Sequence, residues 1–151
     1  MFASIVVGTD GSESAQEAVR QAVELAARLG ATLRIVSAYE PVPAGRLREE
    51  AEQVPPDLQW MINPREDVDA TLRNAAEAAR EGGIEAETYA RQGDPADAIL
   101  DVAEEQGADL IVVGNKGMTG ARRFLLGSVP NRVSHHAPCS VLIIRLSLIH
   151  I

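Results

Sequence analysis

The stretch that most constrains this chain runs from Ala108 to Ser128, ADLIVVGNKGMTGARRFLLGS. Its apolar run Leu110–Val113, flanked by Asp109 and Gly114, has the pattern of a strand buried on both faces of a parallel sheet. Gly114, Gly117 and Gly120 follow at once, then Gly127 and Ser128. Glycines at the end of a buried strand let the backbone turn sharply and approach a ligand with no Cβ in the way. Amides freed in such a turn can converge on an anion. A helix starting at Ser128 adds unpaired N-terminal amides and a favourable dipole. Taken alone, the glycines fit an ordinary loop equally well.

Charge separates the two readings. All 22 acidic residues of the chain precede Leu110, whereas Lys116, Arg122, Arg123, Arg132 and Arg145 follow it. Lys116 is the only lysine. An acid-free, cation-bearing glycine loop at a strand end suits a phosphate, although exposed arginines also simply solvate loops. The net charge of −8 argues against a nucleic-acid partner. No apolar run is long enough to cross a membrane, and the N-terminus lacks the basic segment and cleavage site of a secretory signal. A single cysteine, Cys139, excludes a disulfide framework and disfavours a Cys/His metal cluster. A cytoplasmic location is the expectation.

The length of 151 residues suits one domain with a real core, filled by Val, Ile, Leu and Ala because aromatics are only 3%. Residues 3–8 form a second buried strand ending in Gly8, followed by the turn Thr9-Asp10-Gly11-Ser12. Ser14 and Glu17 have capping-box spacing. Ala18, Ala22, Leu25, Ala26 and Leu29 then recur at helical spacing, up to a stop at Gly30. Thr32–Tyr39 reads as a strand, and residues 40–57 as an irregular Pro- and Glu-containing excursion. Asn63-Pro64 starts a helix with Val68, Leu72, Ala75, Ala76 and Ala79 inward. Residues 84–91 read as a strand near the sheet edge, and Asp94 caps a helix burying Ala98, Ile99 and Val102. A short helix over 128–136 and a last strand over 140–145 complete the chain. This alternation predicts an α/β fold: a single-domain, open, parallel five-stranded sheet with helices on both faces. In such sheets ligands sit where the strand order switches direction, so the ends at Gly8-Thr9-Asp10 and Gly114 to Gly117 are expected to be neighbours.

Gly114-x2-Gly117-x9-Gly127-Ser128, with the segment Gly8 to Ser12, resembles the nucleotide-binding signature of the universal stress proteins. The resemblance runs from about Ser4 to Arg145. It implies a Rossmann-like fold of the adenine-nucleotide alpha-hydrolase kind over residues 1–145 and a regulatory adenine-nucleotide-binding protein of the stress response. ATP, AMP or cyclic AMP would be the ligand. Gly8, Thr9, Asp10, Gly114, Lys116, Gly117, Gly127, Ser128 and Val129 would hold the ribose and phosphates, and Ala38 and Val113 would touch the adenine. Asp10, an acceptor-only carboxylate, suits a ribose hydroxyl or Mg²⁺, and equally suits a cap on its own turn. Ala38 and Val113 also fit an ordinary core. Pro130 departs from the ATP-binding pattern: it offers neither N–H nor hydroxyl, which weakens the case for ATP.

Other readings fit less well. The Walker, dinucleotide and flavodoxin phosphate loops are not matched. His135, His136 and His150 form no triad, and Cys139 reads as a packed thiol. A binding protein is therefore expected rather than an enzyme, with slow ATP hydrolysis or a ligand-independent dimer module as alternatives. The apolar last strand suits a homodimer paired edge to edge. The apolar tail 146–151 is expected to be dispensable and non-native.

Overall fold

The computed structural model describes residues 2–39, 64–115 and 128–145. Their order is β1 (Ser4–Gly8), α1 (Glu13–Leu29), β2 (Thr32–Tyr39), α2 (Pro64–Glu81), β3 (Glu87–Gln92), α3 (Pro95–Glu105), β4 (Leu110–Gly114), α4 (Ser128–His136) and β5 (Ser140–Ile144). The five strands form one sheet in the order β3-β2-β1-β4-β5, and every pairing is parallel. The expected α/β architecture is therefore present.

Strand residues alternate between two cores. Ile5, Val7, Leu33, Ile35, Leu110 and Val112 face α1 and α2, whose inward residues include Ala18, Ala22, Ala26, Val68, Leu72 and Ala79. Val6, Val36, Ile111 and Val113 face α3 and α4, meeting Ala98, Ile99, Val102 and Val133. Burying both faces explains why β1 and β4 read as unbroken apolar runs rather than alternating ones. β1 pairs β2 on one side and β4 on the other, with Val7 opposite Ile35 and Val112. The chain thus winds one way from β1 to β3, then crosses back to β4. The switch lies between the carboxyl ends of β1 and β4.

Two local readings change. α1 is capped by Ser12, whose side chain accepts from the Ala15 amide at 3.3 Å, and not by Ser14. The Asp10 carboxylate accepts from the Ser12 amide at 2.9 Å, and Gly11 adopts a left-handed φ of 83°, so the turn closes two residues earlier than the capping box required. Ser14 is buried inside the helix and donates to Asn115 Oδ1 at 3.2 Å, while Glu17 pairs with Arg20. β3 begins at Glu87 rather than at residue 84. The predicted start at Pro64, the Asp94 cap and the 128–136 helix agree with the structure, and Ala76 is half-buried. The expectations for residues 40–57 and 146–151 fall outside the described residues.

Candidate functional site

At the switch point, a cleft of about 470 Å³, including its open mouth, is bounded by Gly8, Thr9, Asp10, Ala15, Val36, Ala38, Pro95, Ile99, Val113, Gly114, Val129 and Pro130. Its floor follows from strand parity. Val36 and Ala38 on β2, Gly8 on β1 and Val113 on β4 all point to the α3–α4 side of the sheet. Gly8 forms part of that floor. A Cβ there would collide with Ile99 of α3, standing 2.8 Å from its Cγ1.

The walls come from helix starts. In a parallel sheet every returning helix begins at the carboxyl end of the strands. Ala15 in the first turn of α1, Pro95 at the start of α3, and Val129 and Pro130 in the first turn of α4 accordingly meet around one space. Helix N-termini carry partial positive charge and unpaired amides, so their convergence favours an anion. Proline removes one donor from this set: Pro130 is buried, lines the cleft and has no amide hydrogen to offer it.

Asp10 is the one ionisable residue among the described lining residues. Its Oδ1 holds the Ser12 amide at 2.9 Å. Thr9 is buried; its amide donates to the Val36 carbonyl at 2.9 Å and its hydroxyl accepts from the Gly11 amide at 3.2 Å. These bonds fix the turn that presents Asp10. At the rim, Asp94 caps α3 by accepting from the Asp97 amide at 3.0 Å. Arg132 of α4 reaches both acids, at 3.3 Å to Asp94 and 2.8 Å to Asp97.

Gly8, Thr9, Asp10, Ala38, Val113, Gly114 and Val129, all singled out from the sequence, are thus brought together. Ser128 opens α4 with an exposed side chain, outside the ring of lining residues. Lys116, Gly117 and Gly127 lie outside the described residues. Gly114 has a role the sequence did not reveal. Its absent side chain points away from the cleft floor, where a Cβ would stand 2.9 Å from both the carbonyl carbon and the oxygen of Ser14 in α1. Sequence reasoning did not place Ala15, Val36, Pro95 and Ile99 in the cleft, whereas Pro130, singled out for its departure from the ATP-binding pattern, does line it. The parity of Val36 with Ala38 and the helix-start position of Pro95 were the available signals.

Among the described residues, no group of three or more His, Cys, Asp or Glu side chains could hold a metal ion. His135 and His136 are exposed at the last turn of α4. Burial first, and then the nearby Asp109 carboxylate, push the Cys139 thiol above its ordinary pKa, which disfavours the reactive thiolate. Among the described residues, no helix is long and apolar enough to cross a membrane.

Comparison with known proteins sharpens the reading. The model of the universal stress protein family matches residues 1–145. Universal stress protein YxiE of Bacillus subtilis (strain 168) is 37% identical over 157 residues, covering 96% of this chain and all of that protein. A solved universal stress protein in complex with cAMP is 37% identical and superposes with a TM-score of 0.73, covering 97% of this chain and 99% of its own. The universal stress protein from Archaeoglobus fulgidus in complex with dAMP is 27% identical at a TM-score of 0.66, with 94% and 97% covered.

Proposed function

The chain belongs to the universal stress protein family, and from that premise we propose that it is a regulatory protein binding one adenine nucleotide per chain in the cleft above Gly8. The observation that carries this reading is the cleft itself: an apolar floor at the topological switch point, ringed by the starts of three helices. An apolar floor suits a purine, and converging helix starts suit a phosphate. The cAMP and dAMP held by the two solved relatives have both parts.

Ala38 and Val113 would flank the adenine. The Asp10 oxygen not used in the turn would accept from a ribose hydroxyl. Gly114, Lys116, Gly117, Gly127, Ser128 and Val129 would surround the phosphate. Pro130 withholds an amide from that end, which favours the single phosphate of AMP or cyclic AMP over the triphosphate of ATP. Mg²⁺ would neutralise phosphate charge. The residues fit it only as a companion of the nucleotide, because Asp10 is the one carboxylate among the described lining residues and Mg²⁺ takes the rest of its shell from phosphates and water.

Binding without turnover is the role proposed, in a cytoplasmic homodimer formed through β5. Leu142 supports that interface: it is the exposed large hydrophobic residue among the described ones, and it sits on β5, the edge strand of the described sheet. Nucleotide occupancy would order the glycine loop and change what the dimer contacts. Residues 1–145 would suffice, so removing 146–151 should leave binding intact.

Native mass spectrometry of freshly purified protein, followed by titration with AMP, cyclic AMP and ATP, tests the reading. A mass increase of one nucleotide per chain, with AMP or cyclic AMP ahead of ATP, is expected. No retained nucleotide and no binding of any of the three would leave a ligand-independent dimer module.

A further inference from the structure

We infer that Arg132 is a positioning residue for the cleft: its bridge to Asp94 and Asp97 latches the first turn of α4 to the start of α3 and so sets the width of the opening. The inference rests on the proposed nucleotide site, but its structural half can be tested without ligand. Arg132 lies on α4 two residues after Pro130, and Asp94 directly precedes Pro95; both prolines line the cleft, one from each helix. The guanidinium bridges both acids, at 3.3 Å to Asp94 Oδ2 and 2.8 Å to Asp97 Oδ1. That same Asp94 oxygen accepts from the Asp97 amide at 3.0 Å as the α3 cap. The cap and the latch are therefore one hydrogen-bonded unit: moving Arg132 also disturbs the turn that aims Pro95.

The rest of α4 explains why such a latch matters. The helix spans Ser128–His136 and buries Pro130 and Val133 against the α3 side of the core. Among the described residues, Val129 and Pro130 pack its first turn against the core, and the Arg132 bridge adds the side-chain hydrogen bonds that tie that turn to the start of α3. Side chains at the bridge are 50%, 41% and 50% exposed for Arg132, Asp94 and Asp97, so the latch is weak enough to yield and sensitive to salt. It also covers two carboxylates at the rim of a site suited to an anion.

The test uses the full-length protein as wild type, Arg132→Gln, Arg132→Lys and Asp97→Asn. In the absence of nucleotide, amide hydrogen exchange over 128–136 should quicken about two- to fivefold in Arg132→Gln and Asp97→Asn, and Arg132→Lys should recover much of the loss. Affinity for cyclic AMP and AMP, by calorimetry, should fall by a similar factor in both variants. Wild-type affinity should weaken with added salt more steeply than that of Arg132→Gln. Asp97→Asn separates this role from a direct one. If Arg132 instead reached for the phosphate, freeing it from Asp97 would tighten binding, and that result overturns the latch. Unchanged α4 exchange in Arg132→Gln overturns it too. Wild-type protein that binds neither nucleotide, yet shows the exchange effect, sinks the nucleotide reading and keeps the latch.

Discussion

Gly8 and Gly114 end adjacent parallel strands, and in sequence they look interchangeable: each closes a short Ile/Val run and opens a glycine-containing turn. In the structure they sit at opposite parity. Gly8 points to the α3–α4 side, with Val6 and Val36, and its missing side chain leaves room for Ile99 at the cleft floor. Gly114 points to the other side, with Leu110 and Val112, and its missing side chain lets α1 approach at Ser14. One glycine shapes a ligand-facing surface and meets a side chain that can adjust. The other sets a helix-to-strand distance and meets a backbone that cannot. Being glycine at a strand end therefore says that something comes close; parity says what.

Substitutions at these two positions should separate the roles. Gly114→Ala is expected to have the largest effect, a loss of about 3 kcal/mol or more in urea denaturation, because backbone atoms of Ser14 must move. Ser14→Ala should not rescue it, since the carbonyl contact at 2.9 Å remains. Gly8→Ala should cost less, about 1–3 kcal/mol, and Ile99→Val in the same chain should recover part of that loss through a favourable coupling. Equal losses, or rescue by Ser14→Ala, would erase the distinction. A third substitution leaves the glycines intact and fills the space above them. Ala38→Leu should weaken cyclic AMP binding about tenfold or more while the thermal midpoint stays close to wild type. A large drop in that midpoint would place Ala38 in the core rather than in the cleft.

The smallest effect is expected at the opposite end of the sheet. Asp109 accepts from the Ala3 amide at 2.9 Å and the Ser4 amide at 3.1 Å, and these two bonds hold its carboxyl below the ordinary range. A carboxylate favoured by the fold stabilises it above the unfolded-state pKa of about 4 and loses that contribution as pH falls through its lower folded value. Asp109→Ala should therefore lower the thermal midpoint slightly at pH 7, and the gap to wild type should close on acidification. A gap that persists unchanged in acid would assign the effect to something other than these bonds.

Much of this was legible in the sequence, because parallel strands buried on both faces leave unbroken apolar runs such as Leu110–Val113, and the alternation of strands and helices dictates the topology. Asp94-Pro95 announced its helix start correctly. The α1 start was missed because two serines compete for the cap; the choice fell to the Asp10 turn, a contact between residues too close in sequence to show in periodicity. The cleft was legible in part. Strand ends carrying Asp10 and Gly114 mark it directly, whereas Ile99 and Val36 read as plain core and become lining only once sheet register and helix crossing bring them together. The opposed roles of the two glycines were hidden for the same reason.

The central claim is that one adenine nucleotide occupies the cleft over Gly8, and amide chemical-shift mapping of the labelled protein during titration with cyclic AMP or AMP tests it most directly. The account predicts saturable shifts at one equivalent per chain, concentrated at Thr9, Ala38, Val113, Gly114 and Val129. A second large groove, between α1 and α2, is lined by Glu13, Gln16, Glu17, Thr71 and Asn74 and supplies the control. Shifts centred there, or none at saturating nucleotide, would contradict the account.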